Sequence, residues 1–218
     1  MKKQGKIVTG VVSGVAAVGI AAWGIGMAGA ANSTEWELPG DLVAGPAIAE
    51  VDPSTGSEVK IDKFDNVQKK AGEKAGLVDE ETNKSYFTIE VTNSQLLGQC
   101  TSRVGNQTLK PMRTKFLVLD VEATLAASVS SKVGGGAQEL YMPLVAEAFS
   151  VTTSSGSADR NVTSETAWGC FDDSVLLPPV VNPGQSVKGK VVLDVDALTG
   201  KVAYDPEDNG GWSWPYGR

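Results

Sequence analysis

Strict alternation of apolar and polar side chains limits this chain to a small set of folds. In Lys115–Leu125 the odd-numbered residues from Leu117 onward are all apolar, and the polar residues Asp120, Glu122 and Thr124 alternate with them. Residues 187–195 repeat the pattern after Asn182-Pro183-Gly184, and residues 86–91 show it as well. Successive side chains of a strand point to opposite faces of a sheet, so each of these stretches is predicted to be a strand with one buried face.

The residues between these stretches are those that form turns. The chain contains 25 Gly and 10 Pro, and from residue 86 onward no segment of helical length has helical periodicity. Antiparallel strands with one face in the core and one in solvent show this kind of alternation. We therefore predict an all-β fold, an antiparallel β-sandwich.

The N-terminal residues have the pattern of an export signal. Lys2, Lys3 and Lys6 precede residues 7–31, which carry no charged side chain, and Ala28-Gly29-Ala30 suits cleavage after Ala30. The uncharged segment is also long enough to cross a bilayer, with the lysines on the cytoplasmic side. We predict that residues 1–30 are a signal peptide or a membrane anchor, and that the protein is extracellular or at the cell surface.

Residues 31–69 are rich in Pro, Gly, Ser, Thr, Asp and Glu and lack a sustained periodicity. This composition predicts a low-complexity spacer. Ile61, Phe64, Val67 and Ala71 recur at helical spacing, which indicates one short helical turn or docking segment within it.

The sequence contains two cysteines, Cys100 and Cys170. In an exported chain the two most simply pair with each other, and a bridge across so long a loop would stabilise the fold substantially. The alternative is a free reactive thiol, but the chain has no His to activate it.

The order of these features resembles a family of secreted or surface-tethered actinobacterial proteins. These are immunoglobulin-like domains related to the mycobacterial immunogenic secreted antigens. The resemblance is carried by Trp168-Gly169-Cys170, by the turn and strand over residues 182–195, and by residues 201–206 as a last strand. It implies an immunoglobulin-like sandwich over residues 70–218, behind a tether, and it implies no reaction.

Charge and composition exclude several functions. A net charge of −7 argues against nucleic acid as a partner, because binding phosphate needs a basic face. The absence of His removes Ser-His-Asp triads and His-ligated zinc. A pair of carboxylates can still hydrolyse glycosides, but the strand pattern places Glu122, Asp194 and Asp196 on a solvent face. We expect no enzymatic activity and no cofactor.

Two clusters are candidates for ligand binding. Trp212, Trp214 and Tyr216 form an aromatic group that, if exposed, could stack against sugar rings; alternatively, these rings fasten the C-terminal residues to the sandwich. Asp205, Glu207, Asp208 and Asn209 offer hard oxygen ligands for Ca²⁺, as do Asp172 and Asp173, although neither spacing fits a calcium loop and a solvated acidic turn is the simpler interpretation.

The functional prediction is an exported, non-catalytic immunoglobulin-like module that binds an extracellular or envelope protein or glycan of unknown identity. One alternative is a carbohydrate-binding or carbohydrate-active envelope protein. Another is a purely structural surface spacer, which would have no discrete ligand.

Overall fold

A computed structural model describes residues 58–78, 84–133, 140–153 and 155–217. The predicted signal or anchor (1–30) and residues 31–57 of the predicted spacer lie outside the described residues. No helix in the described ranges is long and apolar enough to cross a membrane.

Within these ranges the chain is built mainly from strands. In chain order they are β1 (Val67–Gln68), β2 (Ala75–Val78), β3 (Ser85–Leu97), β4 (Cys100–Thr101), β5 (Thr108–Leu109), β6 (Lys115–Leu125), β7 (Met142–Pro143), β8 (Phe149–Thr152), β9 (Ala158–Asp159), β10 (Val180–Val181), β11 (Gln185–Val195), β12 (Gly200–Tyr204) and β13 (Trp212–Tyr216). The helical segments are α1 (Val129–Val133), a 3₁₀ turn (Ala146–Ala148) and α2 (Glu165–Trp168).

One sheet has the order β11-β6-β3-β2, with every pair antiparallel. β6 and β11 pair along their whole length, from Lys115 opposite Val195 to Leu125 opposite Gln185. The turn into β11 is formed as predicted: Gly184 has a φ of 82°, and the amide of Gln185 donates to the carbonyl of Asn182 at 3.0 Å.

The second sheet has the order β1-β13-β12-β8-β9. β1 and β13 run parallel, whereas β13, β12, β8 and β9 pair antiparallel in turn. The two sheets contribute to one large hydrophobic core, to which β6 presents its odd-numbered residues and β13 its aromatic rings. The prediction of an all-β antiparallel sandwich is confirmed.

The predicted border of the domain at residue 70 needs correction. Val67 is buried in the core, its amide donates to the carbonyl of Gly211 at 2.9 Å, and the amide of Lys69 donates to the carbonyl of Ser213 at 2.7 Å. Residues 58–69 are therefore part of the fold rather than of the spacer. Ile61, Phe64 and Val67 do not form a helix: residues 62–65 make a turn that brings Ile61 opposite Val67 in an antiparallel bridge, and Val67 and Gln68 then pair with β13, so the segment docks on the sheet.

A smaller hydrophobic cluster covers the outer face of the four-stranded sheet. It contains the even-numbered Phe116 and Val118 of β6 together with Val192 of β11, packed against Ala167 and the cysteines. Cys100 and Cys170 form the predicted disulfide, with 5.7 Å between their Cα atoms. In antibody domains the bridge crosses between the two sheets. Here it joins the ribbon of β4 and β5 to the segment after α2, outside the sandwich core.

The free edge of β11 is partly covered by the chain on both sides of α2. Lys190 donates its amide to the carbonyl of Val175 and accepts from the amide of Leu177, each at 2.9 Å, and the amide of Asp194 donates to the carbonyl of Val162 at 2.7 Å. These bonds fix residues 162–177 beside the sheet and so position the groove described below.

Candidate functional site

The C-terminal aromatic residues do not form the exposed platform that was one prediction. Trp212 and Trp214 have no exposed surface and Tyr216 has 2%. The indole Nε1 of Trp214 donates to the carbonyl of Glu73 at 3.0 Å, and burial raises the pKa of Tyr216 to about 12, with the Asp159 carboxylate adding to the effect. A sugar ring needs an open aromatic face to stack on, so these rings act as core residues that hold β13 in place.

The acidic turn of residues 205–209 is already paired with a positively charged side chain, that of Arg160. The Arg160 guanidinium donates to Asp205 Oδ2 at 2.6 Å and lies 2.7 Å from Asp208 Oδ1. Burial holds the pKa of Asp205 above its usual value, although Arg160 acts in the opposite direction. Asp172 accepts from the amide of Ser174 at 2.9 Å. No group of three or more potential metal-ligating side chains occurs in the part of the chain that the structure describes.

The expectation that Asp194 faces solvent is wrong. Its side chain does point to the outer face of the sheet, but the carboxylate is fully buried and accepts from the amide of Met112 (2.8 Å), the amide of Arg113 (3.1 Å) and Ser164 Oγ (2.6 Å). Glu122 and Asp196 are exposed, as predicted. Asp194 therefore anchors the segment before β6 and the start of α2 to the sheet.

A broad concave surface lies beside α2. This depression of about 600 Å³ is lined by Arg103, Val145, Trp168, Leu176, Pro179 and Lys190, among others. A smaller depression of about 330 Å³ contains Tyr141 and Pro143. The two share Val145, Glu147 and Pro179. We call the two together the long groove.

Trp168 is the most distinctive residue of the long groove, because 71% of its surface is exposed. The Arg103 guanidinium lies over the indole ring, 4.3 Å from its centre, and Arg103 Nε is 3.2 Å from Asp173 Oδ1. The amide of Arg103 also donates to the carbonyl of Gly169 at 2.6 Å. A cation over one ring face, together with the disulfide at Cys170, fixes the indole while leaving much of it accessible.

The two basic residues of the long groove already have acidic partners. Lys190 forms an ion pair with Asp120, and Arg103 forms one with Asp173. Burial raises the pKa of Asp120, but hydrogen bonds from Lys190 and Asn93 outweigh it, so this pKa lies below its usual value. Glu147, on the 3₁₀ turn, is exposed and has no hydrogen bond or ion pair with the described residues.

Sequence reasoning missed this site, although Trp168 was visible beside Cys170. In the sequence, Trp168 contributes to the family resemblance through Trp168-Gly169-Cys170 and is not among the residues predicted to bind a ligand. The useful signal was the polar surrounding of Trp168, with Glu165 and Thr166 before it and Asp172 and Asp173 after it, which suits a surface turn.

Comparison with known proteins gives little beyond this geometry. No protein-family model matches the chain, and no curated protein matches it. The crystal structure of MPT63, a secreted protein from Mycobacterium tuberculosis, is similar with a TM-score of 0.39 and 12% identity, covering 69% of this chain and 98% of that one. Membership of the secreted-antigen family stays a prediction.

Proposed function

We propose that this chain is an exported, non-catalytic binding module and that the long groove is its binding site. The observation that carries the proposal is the exposure of Trp168 in the lining of the 600 Å³ depression. Exposed Trp side chains on a fixed scaffold are common anchors of binding sites, because they bury a large apolar area at a small cost in side-chain entropy.

The surroundings of Trp168 support a preformed site. The disulfide, the bonds from residues 175–177 to β11 and the Asp194 network tie the segments around the groove to one sheet. A ligand would therefore meet a surface that needs little ordering on binding, which favours affinity. Asp120, Asp173 and Asp194 are engaged in ion pairs or hydrogen bonds with other side chains and with the backbone, and this supports a binding role over a catalytic one.

The test uses the full chain and its Trp168→Ala variant, with Leu198→Ala as the matched control. Leu198 is also an exposed apolar residue, 51% accessible, but it lies in the turn between β11 and β12. Binding is measured to protein and polysaccharide fractions of the source organism's cell envelope, immobilised separately. We expect Trp168→Ala to weaken binding at least about tenfold and Leu198→Ala to leave it unchanged.

Two results would contradict the proposal. Equal binding by the parent and Trp168→Ala would place the site elsewhere. No binding by the parent to either fraction would favour the structural spacer, which has no discrete ligand.

A second candidate function, carbohydrate binding, is favoured by the same exposed indole. A pyranose ring could stack against the part of Trp168 that Arg103 does not cover, with Thr163 and Asp173 available for its hydroxyl groups. Binding of the parent to a glycan array, lost in Trp168→Ala, would support this candidate. A silent array with binding to the protein fraction would exclude it.

A further inference from the structure

The two depressions of the long groove adjoin each other. Val145, Glu147 and Pro179 line both of them, whereas Tyr141 lines the smaller one and Trp168 the larger one. An elongated ligand that filled both would contact Tyr141, Glu147 and Trp168.

The walls of the long groove are mainly apolar. Pro143, Val145 and Val180 line one part, and Leu176, Leu177 and Pro179 the other. Sugar hydroxyls buried against these apolar side chains lose hydrogen bonds to water, which costs free energy, and the polar Thr163 and Asp173 line only the larger depression. Apolar side chains of a peptide fit the same walls without that cost.

The charged side chains of the long groove limit the class of ligand further. Arg103 and Lys190 are neutralised by Asp173 and Asp120, whereas Glu147 is exposed and, among the described residues, has no partner. The whole chain carries a net charge of −7, so its long-range field also attracts cations. A positively charged group of the ligand is the natural complement of Glu147.

Residues 32–57 of the chain itself are a poor match, because they contain five acidic and no basic side chains and would bring like charge to Glu147. Lys2, Lys3 and Lys6 belong to the predicted signal or anchor, so we take the occupant with complementary chemistry to be a segment of another protein.

We infer that the long groove binds a linear, basic peptide segment of a partner protein. Apolar residues of the segment pack between Tyr141 and Trp168, and a Lys or Arg side chain pairs with Glu147. The inference rests on the proposed function and adds the class of ligand.

The test uses synthetic peptides with the same content of Pro, Val and Leu, in three immobilised pools that differ in carrying Lys, Ser or Glu at the central positions. The full chain is compared with its Glu147→Gln and Trp168→Ala variants. Glu58→Gln is the matched control, because Glu58 is also exposed and does not line the groove. Circular dichroism confirms that each variant is folded.

We expect the Lys pool to bind best and to weaken as salt is raised. Glu147→Gln should reduce binding of that pool about fivefold at low salt, and Glu58→Gln should not change it. Trp168→Ala should weaken all pools.

Other outcomes separate this inference from the proposed function. If all pools bind equally and Glu147→Gln has no effect while Trp168→Ala still weakens binding, the groove is a binding site but the basic-peptide inference is wrong. If saccharides bind through Trp168 and no peptide pool does, the ligand is a glycan and the inference is likewise wrong. If Trp168→Ala leaves every binding signal unchanged, both fail.

Discussion

Asp194 shows how much a single carboxylate contributes to this fold. It accepts hydrogen bonds from two backbone amides and one hydroxyl of segments far apart in the sequence, and Asp194 itself is fully buried. Replacing the carboxylate with a group that has fewer acceptors leaves hydrogen-bond donors without partners, which lowers the free energy of unfolding.

We expect Asp194→Asn to lower the free energy of unfolding by about 2–4 kcal/mol. The side-chain nitrogen of Asn is a donor, and it would lie where a carboxylate oxygen of the parent accepts a hydrogen bond. Asp196→Asn is the matched control: Asp196 is exposed and its oxygen lies 3.6 Å from Arg113 Nε, so its loss should cost less than about 1 kcal/mol. Urea unfolding of the three proteins measures both values. Similar losses for the two variants would contradict the burial of Asp194.

Alternation along β11 predicted the correct face of the strand for Asp194, but it also predicted that this face is exposed to solvent, and it is buried. The side chain points away from the sandwich core, as predicted, yet the second hydrophobic cluster and α2 cover that face. The pattern of one strand reports which residues share a face and cannot show what later parts of the chain pack against it.

Asp120 and Asp205 should make opposite contributions to the pH dependence of stability. The pKa of Asp120 is lowered from 3.8, so its contribution is present above that value and is lost as pH falls through the folded pKa. The pKa of Asp205 is raised from 3.8, so its contribution is present at low pH and is lost as pH rises through the folded pKa.

Urea unfolding measured between about pH 5 and pH 2 distinguishes these two opposite pH dependences of stability. As pH falls, the stability of the parent relative to Asp120→Asn should decrease, and its stability relative to Asp205→Asn should increase. Parallel curves for the two variants would show that the two carboxyl groups have the same environment.

At the scale of elements, the disulfide ties the ribbon of β4 and β5 to the segment that carries Trp168. Its cysteines are 70 residues apart in the sequence, and both are buried in the second hydrophobic cluster. In the chain-entropy model the bridge lowers the entropy of the unfolded chain.

Replacing Cys100 and Cys170 together with Ser should lower the free energy of unfolding by about 4 kcal/mol and reduce the thermal midpoint measured in non-reducing buffer. The fluorescence of Trp168 should also become more sensitive to quenchers, because the segment beside it is released. Reduction of the parent provides the comparison. An unchanged midpoint would mean that the bridge does not contribute to stability.

Several elements could be predicted from the sequence and others could not. The alternation in β3, β6 and β11 identified long strands, since each buries one face over many residues. The residues of β13 also alternate, with Trp212, Trp214 and Tyr216 sharing a periodicity of two. Their aromatic content left two interpretations open, a binding platform or rings that fasten the C-terminal residues to the sandwich, and their burial agrees with the second. β1 has two residues, too few for any pattern, and only its pairing with β13 reveals it.

At the scale of the molecule, the long groove could not be predicted. Arg103, Glu147, Trp168, Pro179 and Lys190 come from separate segments that long-range pairing brings together. No local pattern marks such a set, whereas the class of fold follows from local alternation and the disulfide from the count of cysteines.

The extent of the folded domain gives a further prediction. A chain that begins at Glu58 should be more stable than one that begins at Lys70 by at least about 2 kcal/mol, because the shorter chain loses the burial of Val67 and leaves an edge of β13 unpaired. Urea unfolding of both chains measures the difference. Equal stability would restore the domain border at residue 70.

The central position of β13 has a consequence for when this protein can fold. Synthesis proceeds from the N-terminus, so β13 is the last of the described strands to leave the ribosome, yet it lies between β1 and β12 and brings Trp212, Trp214 and Tyr216 to the core. A nascent chain without β13 lacks the strand that connects β1 to β12. It also lacks Trp212 and Trp214, the largest fully buried side chains of the described residues. For a chain predicted to be exported, translocation can thus begin before the fold is able to close.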